Sequence, residues 1–142
     1  MSERTFKFNI ALSGPVRDRP RLARRWAMDR CTDLRFDCAG VDLPLLVSEL
    51  VTNACLHGSD PVTLRLEFDR TRVRVEVEDG VPGWPGIQSP TDRDPGGRGL
   101  LIVDSLSNVW GIDQSAAGGK VVWAEVLMDE PGNETLERVG GL

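Results

Sequence analysis

Apolar residues recur at two spacings along the chain, and the alternation between those spacings sets out its elements. Phe6, Phe8, Ile10 and Leu12 repeat at period two and predict a strand over 5–12, ended by Gly14 and Pro15. Leu22, Ala23, Trp26 and Ala27 share one face of a helix over about 20–30, with arginines around the rest. A mixed connection over 31–40 follows. Asp42 is positioned to cap a second helix, with Pro44 in its first turn. Leu43, Leu46, Val47, Leu50, Val51 and Ala54 form its apolar stripe, and it runs to about His57, where Gly58 stops it. Val62, Leu64, Leu66 and Phe68 alternate with polar residues, as do Val73, Val75 and Val77. The turn at 69–72 makes these two strands a hairpin.

Residues 80–98 hold five glycines and four prolines and predict a long loop, a feature that in compact domains is usually functional or disordered. A third helix over about 99–106 carries Leu100, Leu101, Ile102 and Val103. Strands at 108–113 and 120–128 flank the turn 116–119. The order is β-α-α-β-β-α-β-β. Hairpins imply a largely antiparallel, mixed sheet, and three helices suffice to cover one face of it. The expected fold class is therefore α/β of the α+β kind, a two-layer sandwich. Residues 1–128 form a single domain in this reading, and 129–142 a polar, flexible tail.

Composition narrows the class. The chain has 142 residues, 40% hydrophobic and 27% charged, which suits one globular domain. There is no apolar run long enough for a transmembrane helix and no apolar signal core near the N-terminus. Cys31, Cys38 and Cys55 show no CxxC spacing and, with His57 as the only histidine, suit neither a structural zinc site nor a disulfide framework. The expectation is a reduced, cytoplasmic protein that does not engage membranes. Net charge is −5, unevenly spread. Residues 1–35 hold nine Lys/Arg against four Asp/Glu, a net of +5; the remainder holds eight against eighteen, a net of −10. Such acidity argues against direct nucleic-acid binding. Arg17, Arg19, Arg21, Arg24, Arg25 and Arg30 form a basic cluster, either a solvated helix face or a meeting point for an acidic protein.

Three segments carry possible chemistry. Glu49, Asn53 and His57 fall at i, i+4 and i+8, beside the apolar stripe, so their polar groups lie at the edge of the core. A carboxylate and an amide there can hold a metal and accept a proton, or be an ordinary boundary row. Asp79 and Gly80 end a strand, where a side chain can reach a ligand and the backbone can approach it closely, or where the chain simply turns. Residues 96–100 (GGRGL) open a helix, where exposed N–H groups, the helix dipole and Arg98 favour phosphate, or where the glycines only make a flexible helix entry. Other nucleotide and hydrolase patterns are absent: GxxxxGK[ST], a complete GxGxxG in βαβ context, the HRD and DFG kinase motifs, and GxSxG.

Taken together, the segments 48–58 (SELVTNACLHG), 75–82 (VEVEDGVP) and 96–104 (GGRGLLIVD), with Trp110-Gly111 and 118–123 (GGKVVW), resemble the GHKL (Bergerat-fold, histidine-kinase-like) ATP-binding domain. The likeness covers about residues 5–128 and is greatest to the compact branch of bacterial anti-sigma-factor serine/threonine kinases. Two positions depart from the wider pattern: Val81 replaces a glycine, and Val121 replaces a frequent threonine. The resemblance implies ATP and Mg²⁺ as cofactors. It implies that Asn53 binds the metal, Glu49 accepts the proton of the attacking hydroxyl, and Asp79 accepts the adenine amino group. Gly83 lets the backbone pass the base, and loop 84–98 closes on the phosphates with Gly97, Arg98, Gly99 and Leu100 against them. His57 is expected to be structural and Lys120 to be a turn residue. The implied activity is ATP-dependent phosphorylation of a small anti-sigma-factor antagonist of the STAS-like kind. A sigma factor is a possible second partner and a homodimer a possible state. A non-catalytic ATP-binding module that sequesters a partner is the alternative, and retention of both Glu49 and Asn53 favours the enzyme.

Overall fold

The computed structural model describes residues 4–82 and 95–128, with residues 39 and 95–99 described by backbone alone. Five strands form one sheet: β1 (Phe6–Leu12), β2 (Val62–Phe68), β3 (Arg72–Asp79), β4 (Val109–Gln114) and β5 (Lys120–Leu127). Their order is β1-β2-β3-β5-β4, and every neighbouring pair is antiparallel. The helices are α1 (Arg19–Leu34), α2 (Leu43–His57) and α3 (Pro95–Leu106), with α2 packed between the other two. This is the expected α+β two-layer sandwich, with a fully antiparallel sheet among the described residues in place of a mixed one.

Strand parity sorts the side chains into two faces. Leu64, Leu66 and Phe68 of β2, Val73, Val75 and Val77 of β3, and Val122, Ala124 and Val126 of β5 are buried under the helices. Leu46, Val47, Leu50 and Val51 of α2 meet them, all fully buried. Phe68 has its ring stacked on Phe36 at 5.5 Å and edge-on to Phe8 at 6.1 Å, which ties the hairpin to β1 and to the chain after α1. The opposite face needs no helices because charge covers it. Arg65 donates to Glu76 (3.0 Å) and Glu78 (2.9 Å), and Arg74 to Glu76 (2.7 Å) and Glu125 (2.8 Å). Burial pushes the Glu76 carboxyl up, but Arg74 and Arg65 together hold it below its ordinary value. The Trp123 indole lies 4.2 Å beneath the Arg74 guanidinium and against Gly111, where a Cβ would come 2.8 Å from the ring.

Several local expectations are corrected. Helix α1 continues four residues past the expected end, to Leu34, and stops where Arg35 turns left-handed at φ 62°. That turn doubles the chain back, so Cys31 and Cys38 come to a Cα separation of 6.1 Å and form a disulfide; Cys55 alone is a free thiol. The expectation of three reduced cysteines fails for that reason. Asp42 is itself left-handed (φ 56°), its side chain caps nothing, and its carbonyl accepts the Leu46 N–H instead. Helix α3 begins at Pro95, so residues 96–99 form its first turns and do not precede it. The basic cluster divides: Arg19 is buried against Asp60 and the Gly14 carbonyl, and Arg24 donates to Ser48. Arg30 pairs with Asp33, while Arg17, Arg21 and Arg25 stay exposed. Among the described residues, no helix is long and apolar enough to cross a membrane. The tail 129–142 lies outside the described residues.

Phe68→Ala should cost about 3–5 kcal/mol, because the site is enclosed by rings and strands that cannot collapse into it. Denaturant unfolding should show a lower midpoint at unchanged slope. A loss under about 1 kcal/mol would show that this ring cluster does not hold the layers together.

Candidate functional site

The apolar row of β3 does not end in an apolar residue. After Val73, Val75 and Val77 the same parity places Asp79 beneath the helix layer, 2% exposed. Its antiparallel partner on β5 is Lys120, which heads the row Val122, Ala124, Val126 and is 1% exposed. The Lys120 ammonium hydrogen-bonds Asp79 Oδ1 at 3.0 Å and approaches Oδ2 at 2.8 Å without the alignment of a hydrogen bond. The Val81 N–H also donates to Oδ1, at 2.8 Å. Oδ1 therefore holds two donors, and Oδ2 keeps accepting capacity.

Glycines make room for this carboxylate. A Cβ at Gly58 would fall on the Asp79 carboxyl group, and one at Gly119 on the Asp79 carbonyl. Gly58 stops α2 as expected, in an extended conformation (φ −109°), and this position also needs a glycine for the close approach of Asp79. The end of α2, the end of β3 and the start of β5 thus converge on one point.

Asn53 lies five residues before Gly58, about 7.5 Å of helix rise. It is 4% exposed, and neither its amide oxygen nor its amide nitrogen has a partner among the described residues. An orphaned buried polar group costs about 1–3 kcal/mol, so an amide kept in that state points to a ligand. Its oxygen is the hard donor that Mg²⁺ takes, so the residue fits the metal that the resemblance implies. Glu49, one turn earlier, is half-buried, and burial pushes its carboxyl up from the ordinary value of 4.5. His57 is half-buried in the last turn of α2.

The expected site residues fall in the structure as follows. Asn53, Glu49 and Asp79 lie on elements that converge. Leu100, 1% exposed, faces the core from α3, which packs on α2. Gly97, Arg98 and Gly99 lie in the first turns of α3, their side chains outside the described residues; Gly83 and 84–94 lie outside them altogether. Lys120 was missed. It was read as a turn residue because Gly118 and Gly119 precede it, although its parity with Val122 and Ala124 marks it as an inward position.

The raised Glu49 carboxyl has a consequence for stability. An acid that holds its proton more tightly when folded loses stability as pH rises from its unfolded value through its folded value. Glu49→Gln cannot ionise, so at pH 7 it should melt above the wild-type protein. The difference should vanish as pH falls to about 4.5 and below. Melting curves from pH 4 to 8 check this; a variant less stable at every pH would contradict it.

The family model described as histidine kinase-like ATPase domain matches residues 15–126. Among solved structures, the chain is similar to the histidine kinase domain from Erythrobacter litoralis EL346 blue-light activated histidine kinase, at 27% identity and a TM-score of 0.46. That likeness covers 66% of this chain and 46% of the other, so the chain spans less than half the length of that protein. No curated protein matches it. With most of its length matched by the family model, the chain belongs to the histidine kinase-like ATPase domain family.

Proposed function

We propose that the protein binds Mg-ATP between α2, the end of β3 and α3, and transfers the γ-phosphoryl group to a serine or threonine hydroxyl. The proposed acceptor is a small anti-sigma-factor antagonist of the STAS-like kind, and a sigma factor is the partner held when that antagonist is unavailable. The membership in the ATPase family supports nucleotide binding. The observation that carries the transferase reading is the pairing on one helix row of a buried Asn53, without a partner among the described residues, with a half-buried Glu49 of raised proton affinity.

In this reading, bound Mg-ATP supplies the phosphoryl group and the charge neutralisation that its transfer needs. The Asn53 oxygen would hold the metal. Asp79 Oδ2 would accept the adenine amino group. Glu49 would take the proton from the attacking hydroxyl, a task that suits a carboxyl whose proton affinity burial has moved toward neutral pH. Gly97 in the first turn of α3 would present its backbone N–H to the phosphates, Gly99 would leave the helix surface beside them clear of side chain, and Arg98 would add charge.

Asn53→Ala should lower Mg-ATP affinity by about tenfold or more in calorimetry, with the circular dichroism unchanged. Unchanged affinity would remove the metal role. Glu49→Ala should keep Mg-ATP affinity within a few-fold and lower transfer by about 10²–10⁴-fold. Transfer is read with γ-labelled ATP and candidate antagonists as acid-stable, base-labile label. Acid-labile label would point to phosphohistidine. No label with any partner, together with intact ATP and partner binding, would leave a sequestering module.

A further inference from the structure

Lys120 does more than accompany Asp79. We propose that it is the positioning residue that sets base selectivity: it fixes the orientation of the Asp79 carboxylate, so that the site accepts a purine with an amino group at C6 and rejects a 6-oxo purine. The inference rests on the nucleotide reading above and adds a determinant to it.

A lysine is almost never fully buried unless paired, and Lys120 is 1% exposed with its ammonium on a carboxylate that has no exposed side-chain surface. Two apolar residues at these facing positions would continue the rows Val73-Val75-Val77 and Val122-Ala124-Val126 without that desolvation. Stability alone does not account for the pair.

The local backbone is built to keep it. Gly119 lets β5 start directly against the Asp79 carbonyl. The Gly119 N–H donates to Ser115 Oγ at 2.9 Å, and the Ser115 N–H donates to the Gly119 carbonyl at 2.9 Å. Gly118 takes the left-handed conformation (φ 98°) that closes this turn. The ammonium is thereby delivered to Oδ1 and pressed near Oδ2.

The chemistry that follows is selective. An ionised carboxylate only accepts hydrogen bonds. Oδ2 can therefore take an N–H from a 6-amino purine, and it meets the lone pairs of a 6-oxo purine with repulsion. Without the ammonium, the Val81 N–H on Oδ1 is the one donor left among the described residues that holds the carboxylate in place, so Oδ2 is no longer fixed toward the base and the preference between the two bases shrinks.

The test compares ATP with ITP by calorimetry in the wild-type protein and in Lys120→Met, which keeps the length of the stem and drops the charge. The wild-type protein should prefer ATP by about 10–100-fold, the range expected for a mismatched buried hydrogen bond to a charged group. In Lys120→Met, that ratio should fall by about tenfold or more. A folded variant with an unchanged ratio, or with both affinities reduced equally, overturns the role of Lys120 while leaving the nucleotide reading intact. A wild-type protein that binds neither nucleotide overturns both. If the variant does not fold, the wild-type protein still decides. Its only lysines are Lys7, which is exposed, and Lys120. Adenosine, with no phosphates, should shift the ¹⁵N-lysine ammonium signal of Lys120 and not that of Lys7, and inosine should shift neither. Equal shifts with adenosine and inosine, or none with adenosine, overturn the proposal.

Discussion

A carboxylate and an ammonium share one dry position where the β3 and β5 rows end. The surroundings of that position explain much of the local sequence. Burying a charge pair costs desolvation that its attraction does not reliably recover, and losing one partner typically costs about 3–5 kcal/mol because the other charge is stranded. The fold accommodates Asp79 and Lys120 by withdrawing side chains around them: Gly58 at the end of α2 and Gly119 at the start of β5. It also supplies the Val81 N–H as a second donor to Oδ1. The ion pair thus fixes where the helix ends, how tightly the β4–β5 turn closes, and how near α2 stands to the sheet.

The rest of the domain holds that corner rigid. Helix α2 carries the apolar contacts to the sheet on one side of its surface and the Glu49–Asn53 row beside them, so packing and candidate chemistry are positioned by the same element. The uncovered face of the sheet is closed by arginine–glutamate pairs and by Trp123 beneath Arg74. Single exposed pairs are worth about 0–1 kcal/mol. Here Glu76 and Glu125 are each shared between two arginines, which also discourages a second layer from docking on that face.

Most of the architecture was legible because it rests on periodicity. Period two placed the first three strands to within a residue or so, the turn at 116–119 separated β4 from β5, and the stripe Leu43 to Ala54 placed α2. Asn53 and Glu49 were legible as a row beside the stripe, and Asp79 as a strand-end carboxylate. What sequence hid depended on backbone geometry or on distant neighbours. The left-handed Arg35 that joins Cys31 to Cys38 carries no glycine to announce it. The first turns of α3 contain three glycines, residues that ordinarily break helices, and so read as loop. Lys120 sat behind two glycines that signalled a turn, although strand parity made it the inward partner of Asp79. Gly58 was assigned to its helix alone, whereas its reason lies across the fold in the Asp79 side chain.

The central claim is that Asn53 and Asp79 mark the two ends of one Mg-ATP site. A crystal structure with Mg²⁺ and a non-hydrolysable ATP analogue tests it most directly. The account predicts the metal on the Asn53 amide oxygen at about 2.0–2.1 Å and the adenine amino group on the Asp79 carboxylate. Nucleotide found elsewhere on the domain, or density at this site with Asn53 turned away from the metal, would contradict it.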